Sequence, residues 1–322
     1  MLAAGVSTCV RSEDVLCLLS ADAAPYTVAF ESFRAAAKSA TVVCYRAPAD
    51  WADVPLLTRM HAPKLIFAAG SQAALKAAEM AERIPVLHVL VAEPAASQLA
   101  QRKGCFGVSP DASPALEVRT IQNVFPGWRK IGVIRRPGFE SARYSQVLAA
   151  AMASGLSLPE FNAEAVGELN LALKRAVRES DSLLLLPDGE LFTATSLQAV
   201  LRFSVANNYP VIGYSPQLAR VGAPLAVYVS AENAGRYASV VAERVLAGRC
   251  AACGMGPDAA PNAAANSTTN ATYGCSCEQK NVAFAEEVSY SVNLRACRHF
   301  RLTIGEDALR KADQVFGKEE GQ

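Results

Sequence analysis

Twice in succession the chain alternates short apolar runs with longer helix-forming ones, and this doubled alternation leaves few folds open. In the first array "VLCLLS" (15–20), "TVVCYR" (41–46), "KLIFAAG" (64–70), "PVLHVLVA" (85–92) and "CFGVSP" (105–110) are the apolar runs. Between them lie "YTVAFESFRAAAKSA", a short stretch near "DVPLLTRMHA", and Ala73 to Ala81. Runs this short and this apolar predict strands buried on both faces of a parallel sheet. After the linker-like "SPDASP" the alternation restarts. "RKIGVIRRPG", "LSLPEFNAEA", "SLLLLPDG" (182–189) and "YPVIGYSP" are separated by helical stretches such as "FESARYSQVLAAAMASG" and "TATSLQAVLRFSVANN". Two consecutive arrays of similar size predict an α/β protein with two doubly wound, parallel-sheet lobes.

Length agrees with two lobes, because 322 residues exceed one usual hydrophobic core. Lys and Arg number 31 against 30 Asp and Glu. That balance gives no basis for a nucleic-acid partner or an anionic membrane surface. No apolar run approaches the length of a membrane span, so no direct membrane span is expected. The opening "MLAAGVSTCVRSEDV" is small and weakly apolar, and residues 1–14 read as a signal remnant or a disordered terminus. It looks like the tail of a secretory signal whose beginning is missing. The "GVST" before Cys9 fits a lipidation box poorly, since Thr8 is larger than the small residue wanted there.

The tail adds "PLAVYVSAENAGRYASVVAERVLAGR", a strand and a long helix with its start at Gly235, then "EVSYSVN" as a strand and "EDALRKADQVFG" as a last helix. These surplus elements fit a chain that returns to the first lobe and crosses again. Between them, residues 250–280 are rich in Ala, Asn, Gly and Thr without periodicity and read as a surface insertion. It holds Cys250, Cys253, Cys275 and Cys277. This C-x-x-C and later C-x-C can bind zinc as four thiolates, while in an exported protein the four pair as disulfides, which is the expected reading. Their connectivity is open. Cys17 and Cys44 read as core thiols. The triplets at Asn266 and Asn270 match a glycosylation signal but lie in Asn- and Thr-rich sequence, where coincidence is the simpler account.

The joint "AAGSQAA" raises a ligand question. In open parallel sheets ligands sit at the carboxyl ends of strands, where helix starts present unpaired N–H groups. Gly70 would permit close backbone approach, and Ser71 could cap the helix that follows. Enzyme signatures are scarce. "GYSPQ" has Gln217 where a nucleophile elbow needs glycine, and no G-x-G-x-x-G follows the first strand. His61, His88 and His299 are far apart in sequence, and His88 reads as a satisfied core histidine. No cofactor is expected, and the chain is read as not an enzyme.

The stretches "LIFAAGSQAALKAA", "VFPGWRKIGVIRRPG", "SLLLLPDGELFT", "YPVIGYSPQLARVGAPLAVYVSAENAGRYASVVAERVLAG" and "VSYSVNLRACRHFRLTI" together resemble the type 1 periplasmic substrate-binding proteins of ABC transporters. The branch they resemble is tryptophan/phenylalanine-binding-like. The resemblance lies in their order along the chain, and the 250–280 insertion departs from it. It implies a Venus-flytrap fold with three crossovers, near 109–112, 228–231 and 286–290. Lobe 1 would hold 15–109 and 231–285, and lobe 2 would hold 112–228 and 288–318. It further implies a periplasmic receptor that closes around a small molecule and delivers it to an ABC transporter permease. The ligand would be an amino acid, an aromatic one included, or another small carboxylate. A flytrap serving a sensor kinase or chemoreceptor is the alternative.

On that resemblance the ligand contacts in the first lobe are Pro25, Tyr26, Gly70, Ser71 and Gln72, with Ala24 and Ala73 beside them. Tyr26 would stack on or hydrogen-bond a ring, and the N–H groups of Ser71, Gln72 and Ala73 would meet a carboxylate. In the second lobe they are Pro137, Gly138, Phe139, Ser141, Asp188, Tyr214 and Ser215. Asp188 would receive a ligand amine or, failing that, cap the helix that begins near Thr193.

Overall fold

A computed structural model describes residues 14–37, 42–46, 51–92, 95–137, 142–251 and 281–318. The chain divides into two compact units, 1–110 with 230–286 and 111–229 with 287–322.

The first unit carries β1 (Val15–Leu19), α1 (Tyr26–Ala36), β2 (Val42–Arg46), α2 (Val54–His61), β3 (Leu65–Ala69), α3 (Ser71–Ala77), β4 (Val86–Val89), α4 (Ala95–Ala100) and β5 (Cys105–Val108). In the second are α5 (Pro114–Val124), β6 (Ile131–Arg135), α6 (Ala142–Ala153), β7 (Glu160–Asn162), α7 (Leu169–Glu179), β8 (Ser182–Leu184), α8 (Ala194–Ala206), β9 (Val211–Gly213), α9 (Pro216–Arg220) and β10 (Leu225–Tyr228). The chain then adds α10 (Ala231–Leu246) and β11 (Val282–Ala283) to the first unit. It finishes the second with β12 (Ser289–Asn293), α11 (Leu294–His299), α12 (Glu306–Lys311) and β13 (Gln314–Phe316).

The two sheets repeat one plan. The first has the order β11-β5-β4-β3-β1-β2 with every pair parallel. The second is β13-β12-β10-β9-β8-β6-β7, parallel except where β12 runs antiparallel to β10. In both, the first strand of the array lies between the second and the third. Each sheet is buried on both faces, which is why its strands read as continuous apolar runs. In the first, Leu16, Leu18, Ile66 and Val86 pack under α2 and α3. Phe67, pointing the other way, stacks on Phe33 of α1 at 4.4 Å. In the second, Val118 and Ile121 of α5 and Val147 of α6 cover one face, while Leu169 and Leu173 of α7 and Val200 of α8 cover the other.

Several sequence expectations change in three dimensions. Gly235 is not a helix start. Ser230 is the N-cap of α10, its side chain accepting the Asn233 N–H at 3.1 Å, and Gly235 lies in the second turn. A Cβ there would sit 2.0 Å from the Ala29 carbonyl oxygen, so the glycine sets how closely α10 approaches α1. The expected helix over 306–317 stops at Lys311, and 314–316 instead add β13 beside β12. His88 is in the core, but it is not satisfied. Neither ring nitrogen has a partner among the described residues, and burial pushes its pKa down to about 4. Its ring lies over Gly107, where a Cβ would come within 2.2 Å of Cε1. Of the insertion's cysteines only Cys250 is described, and it is buried; Cys253, Cys275 and Cys277 lie outside the described residues. Among the described residues no group of His, Cys, Asp and Glu is placed to hold a metal.

The α1–α10 approach gives a direct test. Gly235→Ala overpacks against backbone that cannot rotate away, and it is expected to destabilise by roughly 1–3 kcal/mol. Gly167, with nothing within 4 Å of a built Cβ, should accept alanine with little change. Urea unfolding of the two variants measures the difference.

Candidate functional site

A parallel sheet with this strand order has a defined weak point. The crossover out of β1 runs one way to β2 and the crossover out of β3 runs the other way to β4, so the crevice beyond the carboxyl ends of β1 and β3 is left uncovered. The equivalent place in the second sheet lies beyond β6 and β8.

At the first switch point the chain leaves β1 as Ser20 and leaves β3 as Gly70. Gly70 has φ +91°, a conformation that side chains disfavour, and a Cβ on it would meet Ser20 Oγ at 2.5 Å and Tyr26 Cε1 at 2.6 Å. Its open side is therefore occupied by the protein's own Ser20 and Tyr26. Ser71 does not cap α3. It is the first helical residue after the N-cap Gly70, and no side chain of that turn supplies a cap. The cap comes from β1, where Ser20 Oγ accepts the Ala73 N–H at 3.0 Å. One of the three expected amide donors is thus consumed internally. The N–H groups of Ser71 and Gln72 have no partner among the described residues. Pro25 stands just before α1, and Tyr26 begins it, half-buried with its ring against Gly70.

The second switch point is built from charge. Arg136 follows β6, and its Nε donates to Asp188 Oδ2 at 2.9 Å. The same guanidinium also meets the exposed carboxylate of Glu190. Asp188 Oδ1 accepts the N–H groups of Glu190 at 3.0 Å and Leu191 at 3.1 Å. Burial alone would raise the Asp188 carboxyl, but the Arg136 hydrogen bond and the two backbone N–H groups outweigh it and hold the carboxyl below its ordinary value. Asp188 is therefore not an open acceptor for an amine, since its oxygens are already used. Nor does it cap α8. Thr193 does, accepting the Ser196 N–H at 3.3 Å. Pro137 is exposed next to Arg136, while Gly138, Phe139 and Ser141 lie outside the described residues. Tyr214 and Ser215 follow β9 at the same edge, half-buried, and burial with Asp111 nearby raises the Tyr214 phenol.

Sequence reading missed a third cluster at this edge, where α5 and α6 begin. Arg143 Nη2 donates to Glu117 Oε2 at 2.7 Å, Arg143 Nη1 donates to the Ala112 carbonyl at 2.7 Å, and Asp111 Oδ2 lies 3.7 Å from Arg143 Nε. Ala112 and Asp111 belong to the segment by which the chain enters the second unit. Glu117 is fully buried, with Oε1 lacking a partner among the described residues, and burial pushes its carboxyl up to about 7 against the pull of Arg143. The only signal in the sequence was a charged residue on the apolar stripe of "PALEVRTIQNV", which a helix of this length also carries on its solvent side.

The raised carboxyl fixes a pH dependence. The folded state holds the Glu117 proton more tightly than the unfolded chain does, so this contribution to stability is complete below about pH 4.5 and lost as pH rises towards about 7. Comparing unfolding free energies across that window, the difference between Glu117→Gln and the parent should grow in the variant's favour as pH rises. A pH-independent difference would mean that Glu117 keeps its proton, or loses it, alike in both states.

Comparison with known proteins agrees with this architecture. A profile of the family described as ABC transporter substrate binding protein matches residues 46–253. A substrate-binding protein with adhesive properties from Clostridium difficile, in its ligand-free, open form, superposes with a TM-score of 0.59 at 17% identity over 95% of this chain and 100% of that one. An ABC domain in complex with L-Trp from Streptococcus pneumoniae gives 0.51 at 14% identity over 94% and 100%. A conserved domain protein from Vibrio cholerae gives 0.52 at 16% over 95% and 100%. At these identities the likeness shows the fold, that of the type 1 periplasmic binding proteins. No curated protein sequence matches significantly.

Proposed function

The chain belongs to the ABC transporter substrate-binding protein family, and from that premise we propose that it is an extracytoplasmic receptor for an amino acid or another small carboxylate, delivering it to an ABC importer. The observation that carries the reading is the repetition of one strand order in both sheets, with polar groups assembled at both switch points. At the first, the Ser71 and Gln72 N–H groups face no competing acceptor among the described residues and suit a carboxylate. Tyr26, braced against Gly70, offers an aromatic edge with a hydroxyl. At the second, one guanidinium and two carboxylates, Arg136 with Asp188 and Glu190, make a mixed-charge patch suited to a zwitterion. Asp188 serves there by fixing Arg136 in place.

Proline at 25 and the helix starts at 71 and 216 keep these groups on regular elements, so binding orders few side chains. Gly138, Phe139 and Ser141 enter this proposal through the family resemblance alone. The partners are the small ligand and the membrane permease. No helix among the described residues is long and apolar enough to cross a membrane. The reading needs no cofactor and no turnover.

A ligand that binds only the folded chain stabilises it by about 2.7 kcal/mol at one hundred times its Kd. A thermal-shift screen of L-tryptophan, L-phenylalanine, other amino acids, nucleosides and dicarboxylates should therefore find one class that raises Tm by several degrees. The shift should vanish in Gly70→Val, whose side chain would displace Ser20 and Tyr26. If no class moves the melt, the small-carboxylate reading fails. If only nucleosides do, the receptor role survives with a different ligand.

A further inference from the structure

The second unit has a cavity that the carboxyl-edge site does not use. Helices α8 and α9 each follow a strand, so their carboxyl ends lie at the opposite edge of the sheet from Arg136 and Asp188. There, the last turn of α8, the turn after α9, the β12–α11 joint and the end of β13 enclose about 490 Å³. That volume falls in the range of small-molecule sites.

Its chemistry is one-sided. Arg220 and Arg295 stand at the cavity, both exposed, and neither is paired with a carboxylate among the described residues. Arg220 is held over the Phe316 ring, 5.5 Å from its centroid, which fixes the guanidinium without neutralising it. The third basic group, His299, is already engaged, its Nε2 donating to the Val205 carbonyl at 3.1 Å. Among the described residues, no Asp or Glu lines the space. Apart from Asn293 the rest of the lining is apolar or glycine, and it includes Val221 and Val205, which leave 63% and 49% of their surface exposed. Exposed β-branched aliphatics at that level gain little from the fold itself. The floor is rigid. Asn293 Nδ2 donates to the Ala219 carbonyl at 2.7 Å, and its Oδ1 accepts the Ala296 N–H at 3.0 Å, so its polarity is spent within the protein.

We propose that this cavity is a second ligand site that takes a small amphipathic organic anion: one carboxylate on an apolar body of roughly six to ten carbons. The carboxylate would lie between Arg220 and Arg295, and the apolar body against Phe316, Val221 and Ala296. A cation finds no counter-charge among the described lining residues, and a wholly apolar ligand leaves two guanidinium groups to be stripped of water without compensation.

The test uses the full chain, isotopically labelled, titrated with octanoate and with its neutral analogue octanamide. Octanoate should give saturable amide shifts at Gly222, Ala296 and Gly317 with one-to-one stoichiometry. The charge-assisted contacts should make it bind at least about tenfold tighter than octanamide. The double variant Arg220→Glu with Arg295→Glu should lose that preference while its Tm stays near the parent's. Val221→Trp, which fills the cavity and leaves both charges, should abolish binding of both compounds. The proposal is overturned by shifts that do not saturate, by equal affinity for acid and amide, or by indifference to charge reversal. Shifts that instead map to Tyr26 and Gly70 would assign octanoate to the carboxyl-edge site, and a light-scattering mass of two chains with these amides protected would make the cavity a self-association surface. Either result also overturns it.

Discussion

Each sheet has to be covered on both faces, and the rest of the structure follows from that requirement. Strands such as β1 and β3 offer apolar side chains in both directions, so helices must pack above and below them. A chain can cover both faces only by reversing the direction in which its right-handed crossovers travel. The reversal leaves an uncovered crevice at one edge of each sheet. Polar groups gather there because backbone polar groups at that edge cannot be paired within the sheet.

The two units meet that condition with different chemistry. In the first, neutral groups dominate: a glycine with positive φ, a serine hydroxyl lent from β1 to the start of α3, and two amides left over. In the second, charges hold one another. Arg136 is fixed by Asp188, and Arg143 ties the entry segment at Ala112 to a fully buried Glu117. Buried ion pairs of this kind contribute little net stability, because desolvation offsets much of the attraction. Their effect is to specify position. Arg143 allows one placement of the entry segment relative to α5 and α6.

The same logic separates the two edges of the second sheet. The carboxyl edge has its cations matched by Asp188, Glu190, Glu117 and Asp111. At the other edge Arg220 and Arg295 are left with an aromatic ring and aliphatic walls. The near-balance of charge over the whole chain therefore hides a local imbalance among the described residues that composition cannot reveal.

Sequence alone determined the number of arrays, the class of sheet and the places where strands end, because burial on both faces writes itself as short apolar runs and helix period is equally local. It also marked Gly70 and Tyr214 as residues that directly follow strands, whereas the strand expected to run up to Asp188 ends at Leu184. It could not say what these residues touch. Ser71 looked like a cap because a serine beside a helix start usually is one, yet Ser20, fifty-three residues before Ala73, provides it. Asp188 looked available for a ligand until Arg136, fifty-two residues earlier, was found to occupy it. Gly235 looked like a boundary, and it is the contact point of two helices. Each of these depends on atoms distant in the chain, and a local pattern carries no information about which distant group arrives. Tertiary packing decided the partners; the strand and helix periods decided only the edge at which they meet.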